Sequence, residues 1–145
     1  MNNSPYSGTD PTGEVVVVAL LPVIAGLTSG ISLLGAALVA YFSRVEAEFA
    51  AVGLPGPHNG PGDAVRHCVW MARTASIVGA ELALIIGNAR ELADVRQPHD
   101  EYVMDTRNNR VGASMGDGAS SSSDFRSLCI GQIGRSLVTL PRHRW

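Results

Sequence analysis

Hydrophobic positions fall into two regimes along this chain. From Val15 to Phe42 no charged residue occurs, and these 28 positions as one helix would extend about 42 Å, more than the roughly 30 Å hydrocarbon core of a bilayer. Pro22, Gly26 and Gly30, with Thr28, Ser29 and Ser32, interrupt the run, so it reads as a kinked helix or as a helix pair whose second member begins near Leu27. Such a segment either crosses a bilayer or packs as a hairpin of small residues, and the pattern accommodates both. If it crosses, Arg44, Arg66 and Arg73 place its C-terminal side in the cytoplasm. After Phe42 the pattern becomes amphipathic: Val45, Phe49 and Val52 recur at helical spacing, with Arg44, Glu46 and Glu48 directed elsewhere.

The stretch Gly53 to Gly62 contains Pro55, Pro57 and Pro61 among four glycines and predicts a rigid turn. Asp63 then reads as an N-cap, and apolar positions 65, 68, 69, 72 and 76 predict a helix to about Val78, ended by Gly79. A second helix is predicted from Ala80 to Val95 with Leu82, Ile85, Ile86, Ala89, Leu92 and Ala93 as its buried stripe, and a third from Glu101 to Ser114. Beyond the Gly- and Ser-rich tract from Gly116, Asp124 caps a helix in which Phe125, Leu128, Cys129, Ile133 and Leu137 recur. No useful strand-like alternation occurs. The expected fold is an all-α small helical bundle carrying a hydrophobic, membrane-associated or buried, N-terminal helix or helix pair. Its parts are a disordered leader over 1–14, the hydrophobic helical segment over 15–52, and a helical module over 53–145.

Composition narrows the partners. A net charge of −2, with 11 arginines, no lysine and 13 acidic residues, provides no broad basic field, so nucleic acid is not expected as a partner. The leader lacks Lys and Arg and carries Asp10 and Glu14, which does not fit a secretory signal. Cys68 and Cys129 both lie in apolar helical patterns, and no zinc-type spacing involves them. Two buried free thiols are the expected state, with a single bridge as the alternative.

The polar residues of the central module suggest chemistry. Asp63, His67, Trp70 and Thr74, spaced i, i+4, i+7 and i+11, share one helix face. A carboxylate four residues before an imidazole fixes its tautomer and raises its basicity, although Asp63 and His67 also fit an ordinary helix-start pair. Asp105 and Asn109 repeat the i, i+4 arrangement, and Gly112 one turn later allows a second backbone, or a ligand, to approach. Asn108 beside Asn109 in mid-helix is locally unfavourable and points to a buried network or a site.

The segments Asn59-Gly60-Pro61-Gly62-Asp63-Ala64-Val65-Arg66-His67-Cys68-Val69-Trp70, Ala89-Arg90-Glu91 and Met104-Asp105-Thr106-Arg107-Asn108-Asn109-Arg110-Val111-Gly112 resemble an uncharacterised bacterial domain family, whose members read approximately NGPGDAFRHAYW, AHE and MDLHNNxVG. The resemblance covers residues 59–112 and implies an all-helical fold without an assigned activity. A weaker similarity links the order Arg-His, His-Glu, Asp to metal-dependent histidine-aspartate phosphohydrolases. Here Arg90 stands where the family pattern has histidine, so no metal ligand set is expected, and Arg90 instead suits a carboxylate or phosphate.

The sequence favours a membrane-associated or subunit- or partner-binding protein, open to homo-oligomerisation, in which these groups form a helix-locking polar network. The alternative is a hydrolase-like enzyme with His67, Asp63, Glu91 and Asp105 as catalytic candidates. Arg66, Trp70, Arg90, Asn108 and Asn109 are candidate ligand-binding residues in either case. A secreted toxin-like domain is the third reading. The cofactor is unassigned, and soluble and membrane-associated locations are equally open.

Overall fold

The computed structural model describes residues 32–145, so the expectations for the leader and for 15–31 lie outside the described residues. Five α-helices follow in order, α1 Leu33–Ala51, α2 Pro61–Val78, α3 Ala80–Ala93, α4 His99–Gly116 and α5 Phe125–Ile130, with a 3-10 turn at Arg142–Arg144. No strand occurs among the described residues, only an isolated bridge between Ile133 and Leu137. The fold is the all-α bundle expected. No described helix is long and apolar enough to cross a membrane.

α2 is the central element. α1, α3, α4 and α5 all pack on it, which is why it is buried on nearly every side, including the polar side that carries Asp63, His67 and Thr74. It starts three residues before the sequence suggests. Pro61 occupies its first position, where the missing N–H is not needed, and Gly60 is the N-cap, so Asp63 lies in the first turn rather than at the cap. Its carboxylate nevertheless closes the helix start, because Oδ2 accepts the Asn59 N–H at 2.6 Å. Gly79, at φ 87°, ends α2 and begins α3, giving a corner that a side chain would strain.

The crossing of α2 and α4 is set by glycine. A Cβ on Gly112 would fall on the Cys68 carbonyl, and a Cβ on Gly116 on the Ala72 carbonyl, so the two backbones touch at successive turns. Gly112 thus serves the helix crossing that its spacing suggests. Beside it, Cys68 and Cys129 form a disulfide between α2 and α5, with Cα atoms 6.0 Å apart. The expectation of two free thiols is therefore corrected: apolar surroundings hide both sulfurs, but the fold brings α5 back onto α2 directly over Cys68.

Three further expectations change with packing. α1 buries its small residues, Ala36, Ala40, Ser43, Ala47 and Ala50, and turns Leu34, Leu38, Phe42 and Phe49 outward. Small side chains let α1 lie close against α2, so the large apolar side chains form an exposed stripe instead of a core face. In α3 the buried positions are Leu82, Ala83, Gly87 and Glu91, a stripe rotated from the expected one, because Gly87 admits Met71 and Asn109 and leaves Leu92 exposed. The last helix stops at Ile130 rather than running on to Leu137, since Gly131 and Gly134, the latter at φ 73°, release the chain into turns. Asp124 does cap it, accepting from the Ser127 N–H at 3.1 Å.

Arg73 ties the layers together. Its guanidinium forms a two-pronged pair with Glu46 of α1 at 2.7 and 2.8 Å, donates to the Ser121 carbonyl, and lies 4.7 Å over the Phe125 ring.

Candidate functional site

α2 and α4 deliver the site. Asp63 and His67 lie one turn apart on α2, Asp105 and Asn109 one turn apart on α4, and the glycine crossing aligns the two pairs. His67 Nδ1 lies 2.9 Å from Asn109 Oδ1, while Nε2 lies 3.6 Å from Asp63 Oδ1 and 3.5 Å from Asp105 Oδ1. Asp63, His67 and Asp105 each present one donor atom within 4.8 Å of the other two. Asp63 also pairs with Arg66, and Asp105 Oδ2 accepts from the Gln97 amide.

These residues form the floor of an open cleft of about 240 Å³, whose walls carry His58, Arg66, Arg90, Arg96, Gln97 and Glu101. Burial is the dominant electrostatic fact. It lowers the pKa of His67 despite the opposing charges of Asp63 and Glu91, which favours a neutral imidazole. It raises the Asp105 carboxyl to about 8, helped by the negative charges of Asp63 and Glu91. A neutral imidazole beside a carboxyl that exchanges its proton near neutrality can move protons in both directions.

The arginines of the wall, which also carries Asp94 and Glu101, continue around α1. Arg44, Arg66 and Arg90 gather with Glu48 beside His67 and Trp70, and Arg44 is held below its ordinary pKa by burial and then by the Arg90 charge. Guanidinium groups this close suit an anion.

Of the expected catalytic residues, His67, Asp63 and Asp105 meet at the cleft floor. Glu91 is buried behind them: Oε1 is 3.8 Å from His67 Nδ1, Oε2 is 3.4 Å from Arg90, and the cleft does not reach it. Among the expected ligand-binding residues, Arg66 and Arg90 line the cleft and Asn109 orients His67. Trp70 anchors α1, its indole N–H donating to the Ala40 carbonyl at 2.9 Å, with one edge turned toward His67. Asn108 belongs elsewhere. Its amide bonds both the N–H and the carbonyl of Val138, at 2.8 and 2.9 Å, and so pins the C-terminal segment away from the cleft. Adjacent helical residues point about 100° apart, so Asn108 and Asn109 could not both enter one site.

Residues outside the expected set also matter. Asn59, in the left-handed region at φ 63°, gives its N–H to Asp63 and its amide to Glu101 Oε1 at 2.8 Å, while its carbonyl receives the Leu140 N–H. His58 stands at the mouth, 3.6 Å from Glu101. An asparagine before a glycine signals a left-handed turn, but its long-range partners carry no local signal.

No solved structure matches the chain. Its sequence matches a domain of unknown function, DUF6973, over residues 42–135, a span that contains the whole α2–α4 site, and the chain belongs to that family.

Proposed function

We propose that the cleft is a hydrolase-like acid–base centre acting on a small anionic ester. The observation that carries this reading is the meeting of His67, Asp63 and Asp105, from two helices, on the floor of an open cleft rather than in a closed core. His67, oriented by Asn109 through Nδ1, offers Nε2 to a water, and Asp105 is placed to return a proton to the leaving group. Arg66 and Arg90 on the wall supply charge for the anionic part of the substrate. The cleft volume accommodates a phosphate- or carboxylate-sized group.

The test is hydrolysis of p-nitrophenyl phosphate, bis(p-nitrophenyl) phosphate and p-nitrophenyl acetate by the purified chain. Turnover of one class, reduced about 100- to 10,000-fold by His67→Gln with the fold intact, is expected. No turnover of any class, together with a His67→Gln variant that loses only stability, would leave the cluster as a helix-locking network.

The exposed stripe of α1 favours a second role, docking to a membrane or a partner subunit. Leu34, Phe42 and Phe49 are each at least 65% exposed on one face of the helix. Recovery of the full chain as a detergent-free soluble monomer would sink this role. Leu38→Glu with Phe49→Glu is expected to abolish association while leaving the melting temperature nearly unchanged, because both side chains already face solvent.

A further inference from the structure

His67 has a fixed tautomer with an unusual consequence. Asn109 Oδ1 can only accept, so the 2.9 Å contact places the imidazole proton on Nδ1 and leaves a lone pair on Nε2. That lone pair faces two carboxylate oxygens, at 3.5 and 3.6 Å, neither of which can donate to it as a carboxylate. Asp105 Oδ1 is buried without a hydrogen-bond partner among the described residues, and its side chain is only 7% exposed. Acceptors converging in this way repel unless a proton or a metal cation lies among them.

We propose that Asp63 Oδ1, His67 Nε2 and Asp105 Oδ1 bind one divalent transition-metal ion of the zinc or manganese class. Tetrahedral ligands at roughly 2.0–2.2 Å from an ion are about 3.3–3.6 Å from each other, which is the separation His67 Nε2 keeps from both carboxylates. One imidazole nitrogen with two carboxylate oxygens is a donor set for zinc, manganese or iron, and thiolate ligation is excluded because both cysteines are bridged. The Asn109 carbonyl on the remote ring nitrogen is the support that a metal-bound histidine requires. The backbone crossing at Gly112 and Gly116 fixes the helix that brings two ligands against the helix that brings the third. Arg66 shares Asp63 Oδ1 but also reaches Glu48 at 3.7 Å, so it has a second acidic partner when the ion takes Asp63.

The absence of a ligand histidine at position 90 does not bear on this set. Arg90 lies on the cleft wall, against Glu91, and none of the three donors is drawn from α3. The open position of the ion faces the cleft, where a bound water would be acidified. The inference rests on the hydrolytic reading and changes its chemistry: with the ion bound, His67 Nε2 and Asp105 Oδ1 would be ligands rather than the free base and acid, and the ion-bound water would be the nucleophile, although ion binding can be measured without hydrolysis.

The full chain, dialysed against chelator, is titrated with Zn²⁺ and Mn²⁺ by calorimetry, and with Co²⁺ by visible absorption. One ion per chain is expected, with the absorption of a nitrogen- and oxygen-ligated cobalt and no thiolate charge-transfer band. Asp105→Asn and His67→Gln should lose binding about 100-fold or more, and Asn109→Ala, which removes only the support, about 10- to 100-fold. Asp105→Asn is the decisive variant, because it keeps the shape of the side chain while removing the ligand carboxylate, so it should fold and should abolish the rise in melting temperature on adding metal. If it fails to fold, the Asn109→Ala affinity decides. Absence of stoichiometric binding, or binding by Asp105→Asn at wild-type strength, overturns the metal site. Hydrolysis without stoichiometric ion binding overturns the metal site and spares the hydrolase, and stoichiometric ion binding without hydrolysis of any probe does the reverse.

Discussion

Reduction of the Cys68–Cys129 bridge removes a constraint whose size follows from the chain itself. The two residues are 61 positions apart, and closing a loop of that length restricts the unfolded chain by about 4 kcal/mol at 25 °C in the chain-entropy treatment. For the described 114 residues, 32–145, an unfolding entropy of about 2.1 cal/mol/K per residue gives roughly 0.24 kcal/mol per degree at the midpoint. Reduction should therefore lower the melting temperature by roughly 17 °C. The assay is thermal unfolding followed by circular dichroism, with and without a reductant in large excess, on wild type and on Cys68→Ala/Cys129→Ala. The double variant should melt somewhat lower than reduced wild type, because both sulfurs are fully buried and their packing is lost as well. It should also be indifferent to reductant. The reasoning is refuted if the native protein, never exposed to reductant, titrates two thiols on denaturation, or if reduction moves the midpoint by less than about 3 °C.

Further outcomes follow from the same structure. Gly112→Ala should destabilise by about 3 kcal/mol or prevent folding, read by denaturant melts, whereas Gly131→Ala, with φ −62° and only ordinary neighbours, should stay within about 0.5 kcal/mol of wild type. Asp105 binds its proton more tightly when folded than when unfolded, so its contribution to stability is greatest below pH 4 and falls as pH rises toward about 8. Asp105→Asn should flatten that slope in chelated protein and stabilise it at pH 8 by about 2 kcal/mol, less than the full shift because water at the cleft mouth screens the charge. Removing residues 140–145 deletes the Leu140 and Arg144 contacts to Asn59, and should weaken any substrate or metal binding more than it weakens the fold, measured by comparing affinity with melting temperature.

What the sequence made legible is what is written in local chemistry. The corner between α2 and α3 follows from Gly79, the start of α5 from Asp124, and the pairing of Asp63 with His67 and of Asp105 with Asn109 from i, i+4 spacing. The close approach at Gly112 was legible for the same reason: a glycine one turn beyond a polar pair in a helix needs a neighbour that justifies its conformational entropy. What was not legible depends on which faces meet. The disulfide requires α5 to return over α2, and neither cysteine carries a local mark of the other. The inverted α1 is the plainest case, because the helical spacing of Val45, Phe49 and Val52 reads as a packing face while the geometry of close helix packing selects the alanines.

That inversion bears on the site as well as the fold. Were α1 packed through its large side chains, it would stand farther from α2, and the Trp70 indole could not reach the Ala40 carbonyl. Arg44 and Glu48 would retreat from the side of the cleft with it, and the cationic wall beside His67 would reduce to Arg66 and Arg90. The alanine face thus holds the arginine-lined wall in place, and the exposed stripe is its geometric counterpart on the other side of the same helix. Ala40→Leu should accordingly push α1 outward, break the Trp70 hydrogen bond and destabilise by about 1–3 kcal/mol. A shift in Trp70 fluorescence should accompany the loss, and the effect should exceed that of Leu38→Ala on the exposed face. An Ala40→Leu protein with wild-type stability and an unshifted spectrum would show that α1 is not held in place through its small residues.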